Sequence, residues 1–327
     1  MLAVVVAAAS LALGGCPHDA SLGTVTFPRG GALHRFSFAD CGDRTVGRAP
    51  EPRAQPPLAS SDGRFVATVR VRGHAQTGVQ SVWVTDRRSG RSRRIFSTST
   101  WAVGAITRAS PGPIILLGWP GDDRWIFFAI DPEGSGSIAA DGLVLRVVAS
   151  TGGRPTRLPV SLAYPDYLAW CGGRLVFTAG YDRVATHHKF LEVAAPPDWH
   201  PRSLWPDPAR AFGSLACAPA GRSVAVLSQP ARDDGNFFHA RWQLWRVELA
   251  NGSRTLLDRP PPGSADESPR WSRDGRSLLF VRERQGVGRL MLLRDARVSG
   301  PFVSLGYSLG FYGHHDWWTT ATWSAGT

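Results

Sequence analysis

The sequence predicts an all-β fold: a six-bladed β-propeller of four-stranded antiparallel blades, closed by the C-terminal strand joining the N-terminal blade. Three observations predict it. A strand–turn–strand block recurs at intervals of 47 to 60 residues along a chain of 327, and a period in this range marks a repeat architecture. Gly and Pro make up about a fifth of the chain, which implies many tight turns without a low-complexity composition. The chain is 43% hydrophobic and 19% charged, too apolar for disorder. Beyond the first turn of the chain no apolar run reaches the about 18 residues of a membrane helix.

The clearest block is Pro269-Arg270-Trp271-Ser272-Arg273-Asp274-Gly275-Arg276-Ser277-Leu278-Leu279-Phe280-Val281. A short strand meets an Asp-Gly turn and a hydrophobic strand follows. Asp-Gly between two β-prone runs is a strong hairpin signal, because Gly takes positive φ at no steric cost. The block returns at Ser60-Ser61-Asp62-Gly63-Arg64-Phe65-Val66-Ala67-Thr68-Val69. It returns, decayed, at Ala218 to Leu227. Weaker copies are Gly121 to Phe128 and Gly172 to Phe177.

A third strand follows each second one: Val82 to Thr85, Leu143 to Val147, Leu191 to Val193, Leu244 to Leu249 and Leu290 to Leu293. Polar Gly turns at Ser89-Gly90, Gly152-Gly153 and Asn251-Gly252 close several of these. A fourth short strand comes next, as in Arg94-Ile95-Phe96 and Arg254 to Leu257. Four antiparallel strands make one blade. Aligned on the residue before the turn, the first strands end at Ala59, Trp119, Trp170, Cys217, Trp271 and Trp323. Six inner strands predict six blades. The sixth, Thr322 to Gly326, ends the sequence, while Thr24 to Arg29, Leu33 to Phe38 and the segment to Val46 lack an inner strand. The C-terminal strand is therefore expected to complete the N-terminal blade, which removes two exposed sheet edges.

The Trp-Ser-x-Asp-Gly-Arg blocks resemble the repeats of TolB-like (WD-type) β-propellers over about 300 residues. The resemblance is strongest at 58–96 and 269–306. It implies the fold and interaction work at the cell envelope, with no named partner, since propellers serve many functions. In the repeat register Cys217 occupies the Trp position of its blade, and Cys171 falls one residue after it in the preceding blade. A Cys171–Cys217 disulfide would staple two neighbouring inner strands.

Residues Leu2 to Leu13 form an apolar run that suits a signal-peptide core and is too short to span a bilayer. It ends in Leu13-Gly14-Gly15-Cys16, which resembles the lipobox of bacterial lipoproteins. That resemblance implies diacylglycerol on Cys16, cleavage before it, and stable anchoring. No Lys or Arg precedes the run, a departure from the pattern that an upstream start would explain. The domain reading is a signal peptide at 1–15, a tether at 16–23 and one propeller at 24–327. An oxidising compartment favours disulfides. Pairing of Cys16 with Cys41 is the alternative to lipidation.

Catalytic motifs are missing from the sequence. There is no Gly-x-Ser-x-Gly elbow, P-loop, dinucleotide fingerprint or His-Glu-x-x-His. His187-His188, near Asp182 and Arg183, and His314-His315-Asp316 are expected to pack rather than bind metal, since adjacent residues of a strand face opposite ways. Two polar insertions join second to third strands and are expected on one face. The first, Asp131 to Gly142, carries Ser135, Ser137 and Asp141; the second, Ala231 to Phe238, carries Asp233, Asp234 and Asn236. They form the candidate binding face. The net charge of +11 comes almost wholly from arginine, Lys189 being the one lysine. Arginines scattered around a ring do not make a nucleic-acid groove. The expected function is that of an exported, lipid-anchored, monomeric binding scaffold without a cofactor. It would meet an unknown envelope protein or glycan at the outer face of the cell membrane. The alternative is an enzyme (a glycan hydrolase or lyase) or a small-ligand sensor, its site in the central channel, which would need two carboxylates and a His or Arg converging there.

Overall fold

The computed structural model describes residues 15–49, 57–73, 78–98, 113–131, 142–181, 186–232, 241–307 and 321–324. The described residues form 24 strands and short 3-10 turns. Every strand pairing among the described residues is antiparallel, and the strands group into units of four.

The first unit is β1 (Thr24–Arg29), β2 (Ala32–Ser37) and β3 (Gly42–Arg48). The second is β4 (Leu58–Ala59), β5 (Phe65–Arg72), β6 (Val79–Asp86) and β7 (Ser92–Ser97). The third is β8 (Ile114–Gly118), β9 (Trp125–Ile130), β10 (Leu143–Ala149) and β11 (Thr156–Ser161). The fourth is β12 (Leu168–Cys171), β13 (Arg174–Ala179), β14 (Phe190–Ala194) and β15 (Arg202–Ser203). The fifth is β16 (Arg210–Cys217), β17 (Ser223–Pro230), β18 (Gln243–Glu248) and β19 (Arg254–Asp258). The sixth is β20 (Ala265–Trp271), β21 (Ser277–Arg284), β22 (Val287–Arg294) and β23 (Arg297–Tyr307). The last strand, β24 (Thr322–Ser324), pairs with β1, Trp323 opposite Val25, and makes the first unit four-stranded. The third and fourth units merge into one eight-stranded sheet through a single residue pair, Ser161 with Ala179.

The recurring Ser-x-Asp-Gly-Arg block is turn chemistry. In the second unit Ser60 Oγ donates to Asp62 Oδ1 (2.7 Å) and accepts from Phe65 N (2.8 Å), while Asp62 Oδ1 also accepts from Arg64 N (2.9 Å). Ser272, Asp274, Ser277 and Arg276 repeat each bond in the sixth unit (2.6, 2.9 and 3.0 Å, in the same order). Gly63 and Gly275 supply φ near +70°. In the decayed third unit Asp123 takes the positive φ instead (+55°), and its carboxylate reaches back to Ser61 N and Oγ of the neighbouring turn (2.7 and 2.6 Å). Asp is one of the few residues that tolerate this region.

The third to sixth units are buried on both faces, which is why their central strands read as continuous apolar runs, while among the described residues the first unit packs only against the sixth and the second only against the third. On β21, Leu278 and Phe280 pack against the fifth unit, while Leu279 and Val281 pack against the first. On β9, Ile126 and Phe128 face the second unit, and Phe127 and Ala129 the fourth. Successive side chains of a strand point to opposite faces, so each apolar pair serves two interfaces.

Turns between first and second strands, and between third and fourth, lie at one end of every unit (the turn end). They touch from unit to unit: Ser61 with Asp123, Trp125 with Trp199, Gly172 with Gly221, Gly275 with Pro219, and Arg294 with Asp19. The other connections lie at the opposite, loop end.

Candidate functional site at the loop end

The residues expected to bind, Ser135, Ser137 and Asp141 in one insertion and Asp233, Asp234 and Asn236 in the other, lie outside the described residues. The strands that bracket them are described. β9 ends at Ile130 and β10 begins at Leu143; β17 ends at Pro230 and β18 begins at Gln243. Both insertions therefore leave from and return to the loop end. His314, His315 and Asp316 are outside the described residues, as are Asp182 and Arg183.

The described residues bring buried charge to this end. Asp166 sits on the 3-10 turn Pro165–Tyr167 that feeds β12 and is 8% exposed. Glu267, 7% exposed, and Arg270 flank a bulge in β20. The bulge holds Ser268 and Pro269, and a bulge is where a residue without an N–H fits in a strand. Ser268 N donates to Ser214 Oγ on the adjacent β16 at 3.0 Å. Burial lowers the pKa of Arg270, with the Asp166 charge opposing; burial raises that of the Tyr167 phenol, with Asp166 and Glu267 adding to it. β12 and β20 belong to the fourth and sixth units, so these charges act on one another past the first strand of the fifth unit. Two carboxylates, a guanidinium and a phenol share one low-dielectric region.

Two more buried cations brace the same end. Arg282 Nε donates to Asp266 Oδ1 (2.7 Å), and the guanidinium also binds Asp258, tying β21 and β20 to the outer strand of the fifth unit. Asp266 has no exposed side-chain surface, and burial pushes its pKa well up against the opposing pull of Arg282. Lys189, fully buried, donates to the carbonyls of Tyr181 (2.8 Å) and His187 (3.0 Å). It ties down the connection between β13 and β14, where the His187 and His188 rings lie 3.5 Å apart, centre to centre. Among the described residues no three metal-ligating side chains cluster.

Apolar surface at the loop end is left open. Five large hydrophobic residues are exposed among the described residues, and four of them, Val71, Val79, Tyr181 and Tyr307, lie within two residues of strand ends there. Sequence reasoning did not single these out, nor Asp166, Glu267 and Arg270. Apolar residues at strand ends look like core in the sequence, and Asp166 lies about a hundred residues from Glu267 and Arg270.

At the turn end Cys171 pairs with Cys217, their Cα atoms 5.5 Å apart, and joins β12 to β16. Cys16 departs from the expectation of lipidation: it is bonded to Cys41 (Cα–Cα 6.1 Å). A sulfur in that bond has no lone valence for a diacylglycerol thioether.

No protein-family profile and no curated protein matches the chain. Solved structures do. TolB from Acinetobacter baumannii aligns with 86% of this chain and 63% of its own length at 14% identity and a TM-score of 0.50. Dipeptidyl peptidase 4 from Porphyromonas gingivalis aligns with 89% of this chain and 45% of its own at 11% identity and a TM-score of 0.50. The fold is a TolB-like β-propeller. This chain spans less than two thirds of either structure, and the likeness extends to architecture alone. Oligogalacturonate lyase in complex with manganese is also similar (16% identity, 85% of this chain and 74% of that one, TM-score 0.49). Propeller blades carry their chemistry in end residues and connections, so the loop end has to be read on its own residues.

Proposed function

We propose that this chain is an exported, non-catalytic binding propeller of the cell envelope that presents its loop end to a protein or glycan partner. In this reading it has six blades, one per unit, and the β24–β1 pairing closes the ring. The observation that carries the reading is the placement of Val71, Val79, Tyr181 and Tyr307, exposed at the end where the two long insertions emerge. Val71 and Val79 stand on the second unit, Tyr181 on the fourth and Tyr307 on the sixth; a partner spanning that end would cover apolar surface on all three, and tyrosine suits such a contact because it is large and loses little side-chain entropy. Export is supported by two disulfides, which persist in oxidising compartments, and by the apolar run Leu2 to Leu13. A lipid anchor at Cys16 rests on Leu13-Gly14-Gly15-Cys16 and requires the mature protein to lack the Cys16–Cys41 bond.

Photo-crosslinking in the native host tests the partner face. A benzophenone amino acid replaces Tyr181 or Tyr307 at the loop end, or Arg154 or Arg222 at the turn end. Adducts with one envelope component at the first two positions and none at the others are expected. Adducts of equal yield at both ends would sink the reading.

Asp166, Glu267 and Arg270 favour a second reading, a small polar ligand held along the first strands of the fourth to sixth units. Two carboxylates and a guanidinium also meet the minimum for glycan cleavage. Under this reading Glu267→Gln abolishes a ligand-induced rise in Tm while the crosslinking pattern stays unchanged.

A further inference from the structure

A second site lies at the turn end, where the sixth unit meets the first. A cleft of about 910 Å³ opens there, between the β20–β21 turn, the β22–β23 turn, the segment before β1 and β24. This is within the roughly 300–1,000 Å³ of small-molecule sites. Two half-buried tryptophans line it. Trp271 Nε1 donates to Ala216 O (3.1 Å) and Trp323 Nε1 to Leu22 O (2.7 Å). Their N–H groups are committed to backbone carbonyls, so both rings are fixed and offer the cleft carbon surface.

The polar lining is balanced in charge. Arg294 is paired with Asp19. Arg273 and Arg276 are exposed, with no carboxylate in ion-pair distance among the described residues, and face the cleft beside Asp274 and Asp295. Asp274 stays ionised: the Ser272 hydroxyl and the Arg276 N–H hold its pKa below the ordinary carboxylate range. Asp295 is exposed. Three guanidiniums against three carboxylates, Asp19 included, give no net attraction for a polyanion and no well for a cation. What the cleft offers is fixed aromatic surface, several strong donors and several strong acceptors.

We propose that this cleft binds a neutral hexose-based oligosaccharide. The C–H bonds of a pyranose face carry partial positive charge and pack on the negative face of an indole, as cations do more strongly. Each sugar hydroxyl both donates and accepts, so neighbouring hydroxyls use guanidinium and carboxylate together. A purely apolar ligand would strand these charged groups; a uronate would leave Asp274 and Asp295 opposed. The site is separate from the loop end and does not depend on the partner proposed there.

The test is isothermal titration with intrinsic tryptophan fluorescence on the full chain. The probes are cello-, malto-, chito- and galactotetraose, with a mannuronate tetrasaccharide as the charged control. Sub-millimolar binding of at least one neutral tetrasaccharide is expected, with a change in tryptophan emission. Arg273→Ala combined with Arg276→Ala should weaken it at least about tenfold, since bonds to charged groups are lost. Both side chains are exposed, so the double variant should melt like the parent. Trp271→Phe keeps an aromatic face and should retain most of the binding. Failure of all four neutral probes would overturn the assignment. So would preference for the mannuronate, or neutral binding unmoved by the double arginine variant.

Discussion

Glu192 lies on β14, half-buried, with Oε2 enclosed and without a hydrogen-bond partner among the described residues. Burial raises its pKa above the ordinary 4.5. The folded state thus binds its proton more tightly than the unfolded chain. Stability is unaffected below the unfolded value, falls as pH rises through the folded one, and stays lowered above it. Glu192→Gln should remove that loss and raise stability at pH 7 by up to about 1 kcal/mol, discounted for the solvent this side chain keeps. Thermal unfolding of both proteins from pH 4 to 8 checks it; parallel curves would refute it. Gly180 is constrained differently. Its φ is +139°, and a Cβ there would overlap the carbonyl oxygen of His188. Gly153 has a similar φ of +131° with open space around it. Gly180→Ala should cost more than about 3 kcal/mol and Gly153→Ala about 1–3, the latter being backbone strain alone. Urea titration of the pair separates clash from strain.

The three-residue strand β24 carries much of the join between the two ends of the chain. Trp323 faces Val25 in the ladder and donates its indole N–H to Leu22 O. Trp323→Pro should remove that bond and disturb the ladder, costing at least about 3 kcal/mol in a single cooperative transition. Parent-like melting would show that β24 is dispensable. Such strands were legible in the sequence because turn chemistry is local. Ser60 to Phe65 and Ser272 to Ser277 write the same hydrogen bonds in the same letters. Where the letters decay, as at Asp123, spacing still located the turn. The site was much less legible. Asp166 and Arg270 influence one another only because the fold sets β12 and β20 on either side of β16, and no local pattern encodes that. The loops that sequence did single out are bracketed by described strands, but their own residues are outside the description.

At the scale of the whole molecule, Cys16 decides how the protein meets its surroundings. Its bond to Cys41 sits at the turn end, beside the Asp19–Arg294 pair, so the segment before β1 is fastened to the first and sixth units. A thioether at the same sulfur would free Cys41 and leave the fold hanging from a lipid. Intact mass of the protein purified from its host's membranes distinguishes these. A chain beginning at Cys16 with added acyl mass establishes the anchor. A chain without lipid, two mass units lighter than the Cys16/Cys41 dithiol form, establishes the bridge. The second disulfide, Cys171–Cys217, is indifferent to that choice and staples β12 to β16 either way.

Lys189 is the only lysine among 327 residues, and its buried amine is held by the Tyr181 and His187 carbonyls. Amine-directed acylating reagents therefore have one internal target, and they reach it only when those contacts open. The rate of Lys189 acylation becomes a built-in clock for local opening of the loop end. A partner that grips the connection should slow it, and one that docks elsewhere should leave it running.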